Sequence, residues 1–146
     1  MTSIELLSPA RNLECGIAAV DHGADAVYIG APRFGARAAA GNSVEDIQTL
    51  CTYAHRFGAK VYVTLNTILY DDELRDTQEL VWQLHSAGVD ALIVQDLSLL
   101  KMDLPPIPLH ASTQMDNRTP QKVRQLKDQG FQQVVLAREL SLPQIH

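Results

Sequence analysis

Apolar and polar positions follow a phrase that recurs along the chain: a helical tail, a glycine, then a short apolar run ending in a polar residue. It runs over His22–Gly30, Phe57–Asn66, Ala87–Asp96 and Gln129–Arg138. A glycine just past a helix supplies a left-handed C-terminal residue without a Cβ clash. A short apolar run between helices suits a parallel strand covered on both faces. The phrase therefore predicts alternating strands and helices.

The predicted elements begin with a strand over Ile4–Leu7, stopped by Ser8-Pro9-Ala10 because proline cannot donate to a ladder. A helix follows from Asn12, a good N-cap, to His22, and a strand spans Ala26–Ile29. The loop from Gly30 to Arg37 carries glycines, a proline and two arginines. Asn42-Ser43 caps the next helix, with Glu45 and Asp46 at its positive end, and that helix reaches Phe57. A strand covers Lys60–Leu65. A helix covers Glu73–Ser86, with Leu74, Leu80, Val81 and Leu84 turned to the sheet and Trp82 packing. Strand Ala91–Gln95 leads to a helical turn over Leu97–Leu100, which the prolines at 105, 106 and 108 end. Strand Leu109–Ala111, a helix beginning at Pro120 behind the cap Thr119, and strand Gln133–Ala137 complete the series.

Six such units suit either an open doubly wound sheet or most of a (β/α)8 barrel. A dinucleotide or P-loop fold needs a glycine-rich phosphate turn after the first strand, and Ser8-Pro9-Ala10-Arg11-Asn12 offers none. The barrel is favoured, so the fold class is α/β with parallel repeats forming a partial TIM-barrel-like domain. Such barrels usually need about 200 residues or more. The 146 residues are therefore expected to form one domain that is the N-terminal barrel portion of a longer protein.

In parallel architectures chemistry sits beyond the C-terminal ends of the strands, which gathers one rim. Its residues are Glu5 and Ser8, Arg33 and Arg37, Asn66, Gln95, Asp96, His110, Thr113, Gln114, Asn117, Arg138 and Glu139. Glu5, His110 and Glu139 are the candidate catalytic groups. Arg37, Asn66, Gln95, Thr113, Gln114, Asn117 and Arg138 are the candidate substrate binders. His110 serves as acid, base or ligand, or else as a hydrogen-bonding loop residue. Glu5 lies in an apolar strand and needs a partner, for which Arg37 and Arg138 are the candidates; the pair would hold the barrel or receive an anionic group. Ser112 and Thr113 lack evident nucleophile partners and read as caps. Asn66 and Gln95 orient a ligand or satisfy loop backbone.

Composition narrows the classes. With 46% hydrophobic and 20% charged residues the chain has the make-up of a soluble globular domain rather than a disordered one. A net charge of -5 gives no general attraction to nucleic acid, although an acidic average does not exclude a local basic patch. Cys15 and Cys51 have no metal-ligand spacing and read as reduced thiols. No apolar stretch approaches the ~18 residues of a membrane span, and a cytoplasmic location is expected. No metal site is complete in the sequence.

Five segments carry a family likeness: Glu5–Glu14, Gly23–Gly30, Phe34–Ala38, His110–Gln114 and Leu136–Ser141. In order and content they resemble the N-terminal region of peptidase family U32, the collagenase-like proteases. The resemblance implies a TIM-barrel-like catalytic domain in a bacterial or archaeal cytosolic protein and, by the family's name, proteolysis. Several members resemble proteins that hydroxylate tRNA, ribosomal RNA or, without oxygen, ubiquinone precursors, some with an iron–sulfur cluster. It thus implies a peptide or an RNA substrate, no cofactor in this segment, and a 4Fe–4S cluster held by cysteines elsewhere in a full-length protein. A non-catalytic assembly role is the further alternative, since unpaired barrel edges favour self-association.

Overall fold

The computed structural model describes residues 4–32 and 41–145. Six parallel strands lie in one sheet in sequence order, β1 (Leu7–Ala10), β2 (Ala26–Gly30), β3 (Lys60–Leu65), β4 (Ala91–Val94), β5 (Leu109–Ala111) and β6 (Gln133–Val134). Strand order that simply follows the chain is the winding of a barrel. A doubly wound sheet reverses direction at a switch point, and this one does not. The sheet curls into a half-barrel, with helices α1 (Leu13–Asp21), α2 (Val44–Arg56), α3 (Leu74–Ser86) and α4 (Pro120–Asp128) in the connections and a last short helix α5 (Leu142–Ile145).

The recurring glycines do what the pattern requires. Gly23, Gly58, Gly88 and Gly130 all have positive φ, from 73° to 106°. After each, a backbone N–H reaches back across the final helical turn: Ala24 to Ala19, Ala59 to Ala54, Val89 to Leu84 and Phe131 to Leu126. Those four residues are buried, so each glycine both closes a helix and drives the next segment into the core.

The strands present two faces. Outward, Val27, Ile29, Val61, Val63, Leu65, Leu92 and Val94 pack with Ile47, Leu50, Leu80, Val81, Leu84 and Leu126 of the helices in the main core. Inward, a smaller cluster forms from Ala26, Tyr62, Ala91 and Ile93, with Leu7 and Tyr28 beside it. Leu74, placed on the sheet side by its spacing, is half-buried, and the buried Thr77 completes that face of α3. Trp82 is 45% exposed and its indole N–H donates to the carbonyl of Asp103 at 3.2 Å.

Three boundaries differ from expectation for identifiable reasons. The first strand is Leu7–Ala10 rather than Ile4–Leu7, with Pro9 opposite Tyr28. Proline is admitted there because β1 pairs only with β2 among the described residues, so no second ladder needs its missing N–H. The sixth strand is two residues long instead of five, because Asn117 takes over the pairing from the neighbouring strand: its carbonyl accepts from the N–H of Ala137. Helix α5 was not anticipated. Its signal is a serine followed three residues later by a glutamine: the side-chain carbonyl of Gln144 accepts from the N–H and hydroxyl of Ser141, one half of a capping box.

Candidate functional site

The predicted rim residues divide into two groups. The first gathers beyond the ends of β5 and β6, where Thr113, Gln114, Asp116, Arg118, Ala137, Arg138 and Glu139 line a cleft of about 380 Å³. Ser112 caps the turn Thr113–Met115 by accepting from the N–H of Gln114, which matches the capping role expected of it. Asp116 then adopts a left-handed conformation, φ 57°, and turns the chain toward Arg118.

Arg118 is held between two carboxylates. Its Nε donates to Asp116 Oδ1 and its Nη2 lies 3.6 Å from Glu139 Oε1. Arg138, exposed on the same cleft, forms no ion pair among the described residues. Asn117 is fully buried beneath the cleft, donating from Nδ2 to the carbonyls of Ser112 and Val135, both at 2.8 Å. It ties the β5 loop to the β6 segment that carries Arg138 and Glu139.

The second group lies inside the half-barrel at the opposite, N-terminal end of the strands. Glu5 precedes β1, and its Oε2 accepts from the hydroxyl of Tyr62 at 2.7 Å. Among the described residues the partner of Glu5 is Tyr62, not Arg138; Arg37, the other expected partner, and Arg33 lie outside the described residues. The Tyr62 ring meets His110 edge-on, with centroids 4.9 Å apart. Glu5, Tyr62 and His110 come from the segments of β1, β3 and β5, the alternate-strand layering by which barrels fill their interior. Lys60, Asp90, Gln132 and Gln133 complete the lining of a cavity of about 300 Å³ there.

Burial in that layer shifts two groups. Desolvation, reinforced by the bond to Glu5, raises the Tyr62 hydroxyl well above the ordinary tyrosine range. Desolvation lowers His110, with the positive charge of Lys60 adding to it and Glu5 opposing. A histidine depressed in the folded state is protonated first in the unfolded chain, so stability falls as pH drops from about 6.5 toward the folded pKa. Urea unfolding at pH 7.5 and pH 5.5 is expected to show a larger acid loss for the wild type than for His110→Gln; equal losses would show that His110 titrates as if exposed.

Asn66 and Gln95 sit half-buried just past the ends of β3 and β4, and Asp96 next to them is committed to structure. Although desolvation would raise its carboxyl, the backbone N–H groups of Leu69 and Ser98, each 2.9 Å away, hold it below the usual carboxylate range. Sequence reasoning missed Tyr62, Asp116 and Arg118. Period-two alternation along Lys60-Val61-Tyr62-Val63-Thr64 marks Tyr62 as inward-facing; no local signal marks Arg118, which is defined by contacts to Asp116 and Glu139.

An iron–sulfur cluster does not fit the residues present. Cys15 is exposed on α1 and Cys51 is buried on α2. Burial, then the nearby charge of Asp90, pushes the Cys51 thiol up to about 12, the reverse of what a metal-ligating thiolate needs. Among the described residues no three His, Cys, Asp or Glu side chains converge on a point where a metal ion could be held. No described helix is long and apolar enough to cross a membrane.

Parallel units wound in sequence order, with a polar cleft at the strand ends, define a barrel of the TIM type. The chain belongs to peptidase family U32, whose profile matches residues 11–146. It is 61% identical over 97% of its length to a 23S rRNA 5-hydroxycytidine C2501 synthase of Escherichia coli, and 37% identical over 97% to tRNA hydroxylation protein P1 of Bacillus subtilis. It spans 22% and 34% of those two proteins, respectively. Among solved structures, that of a U32 peptidase superposes on 93% of the chain with a TM-score of 0.66 at 12% identity, covering 60% of that protein. At that identity the likeness establishes the fold alone.

Proposed function

We propose that this chain is the barrel-forming part of a larger cytoplasmic enzyme that hydroxylates RNA, with a ribosomal RNA cytidine as the target. The observation that carries the reading is the 61% identity to the rRNA 5-hydroxycytidine synthase, sustained over nearly the whole chain. The geometry is compatible with it. The cleft at the ends of β5 and β6 joins neutral donors and acceptors, Thr113 and Gln114, to an exposed arginine, the chemistry that base edges and phosphates ask for. Asn66 and Gln95 extend that polar rim. Glu139 stands in the cleft as a candidate acid or base, whereas Glu5 and His110 act from the barrel interior as a polar layer beneath it.

Proteolysis rests on less. The family name carries it, while Ser112 is occupied in capping and His110 is packed against Tyr62, so neither is arranged with the other as nucleophile and base. Any cluster would be held by cysteines beyond residues 4–145, and further strands of a longer protein would pair with the edges of β1 and β6.

Disrupting the gene for the full-length protein is expected to abolish 5-hydroxycytidine in nucleoside digests of 23S rRNA analysed by mass spectrometry, with restoration by the wild-type gene. An unchanged profile in rRNA and tRNA, together with cleavage of collagen peptides by the purified protein, would replace this reading with the peptidase one.

A further inference from the structure

The cleft at the ends of β5 and β6 holds two arginines in unlike states. Arg118 is bridged by Asp116 and Glu139, whereas Arg138 lines the same cleft without an ion pair among the described residues. The lining thus carries two guanidinium groups and two carboxylates, a formal charge of zero, unevenly distributed: two negative charges surround Arg118 and none is bonded to Arg138. An approaching phosphate meets attraction at Arg138, but at Arg118 it must displace or oppose two carboxylates.

We propose that the cleft receives one phosphodiester of a single-stranded RNA on Arg138, and that Asp116 and Glu139 withhold Arg118 from becoming a second phosphate contact. The inference rests on the RNA reading above and adds how the strand is held. Thr113 and Gln114 line the same cleft, so a phosphate fixed at Arg138 leaves the adjoining base neutral hydrogen-bonding groups to meet rather than only further charge. An acidic chain, at -5, suits such economy: it is fitted to place the strand rather than to supply nonspecific electrostatic affinity.

Counting phosphate contacts is an experiment. Each one on a single strand contributes about 0.7 to the slope of log affinity against log salt. Fluorescence anisotropy with the full-length protein and a short, fluorescein-labelled, cytidine-containing single-stranded RNA is expected to give a slope about 0.7 shallower for Arg138→Gln, with Arg138→Lys close to wild type. Between 50 and 200 mM salt the wild type would then lose about 2.6-fold more affinity than Arg138→Gln. Arg118→Gln is expected to leave the slope unchanged. Asp116→Asn with Glu139→Gln, which releases Arg118, is expected to bind more tightly and to steepen the slope by about 0.7. A wild-type slope in Arg138→Gln, or no gain in the double variant, overturns the inference while leaving the RNA reading in place. Absence of RNA binding by the wild type overturns both. Thermal melts of each variant confirm that the folded protein is being compared.

Discussion

Asn117→Leu is expected to destabilise the fold by about 2 kcal/mol, seen as a lower urea midpoint with an unchanged slope. Leucine keeps the heavy-atom count and branching with bulkier methyls, so the loss reports chiefly the two hydrogen bonds from Nδ2 to the carbonyls of Ser112 and Val135. The Ser112 carbonyl keeps the N–H of Met115, but the Val135 carbonyl loses its donor, and a buried carbonyl left without one costs roughly 1–3 kcal/mol. The substitution bears on function as well as stability. The same asparagine accepts through its backbone from Ala137, the residue before Arg138 and Glu139, so loosening it moves the wall of the cleft. A cost below about 1 kcal/mol would mean that water reaches the Val135 carbonyl and that Asn117 is not the tie between the two strand ends.

The repeat and the barrel were legible because each depends on local chemistry. A glycine with positive φ, a buried residue after it and a short apolar run are all adjacent in sequence, and four copies reinforce one another. Helix starts were equally visible, since Asn12, Ser43 and Thr119 each accept from a backbone N–H three residues ahead. The boundaries that slipped depend on neighbours: Pro9 is tolerated because of where β1 lies in the sheet, and β6 is short because Asn117 intervenes. The candidate site was legible in part for the same reason. Thr113, Gln114, Arg138 and Glu139 follow from knowing where strands end. Glu5 and His110 do not, because whether a residue near a strand stands at the rim or inside the barrel is fixed by register, and Tyr62 becomes their neighbour only when three strands are assembled. The cleft depends on Arg118, whose state is set by Asp116 two residues before it and by Glu139, 21 residues further on.

Gly16→Val is expected to cost about 3 kcal/mol and to be partly rescued by Leu50→Ala, although Leu50→Ala alone costs a similar amount. Gly16 sits inside α1, where glycine is about 1 kcal/mol worse than alanine, so something other than helix propensity accounts for it. The reason lies in α2. A Cβ at position 16 would stand 2.7 Å from both terminal methyls of Leu50, which is itself fully buried and has no route of retreat toward solvent. Valine adds three carbons, a Cβ and two methyls, to a gap that lacks room for the Cβ alone, and the strain falls on the α1–α2 crossing. Removing the Leu50 side chain opens a cavity at the very place the valine needs. The double variant should therefore be more stable than the sum of the single losses predicts by about 1–2 kcal/mol, the coupling expected of groups competing for one volume. Strict additivity in urea unfolding of the four proteins would show that the helices move apart freely, and that the glycine does not set their separation.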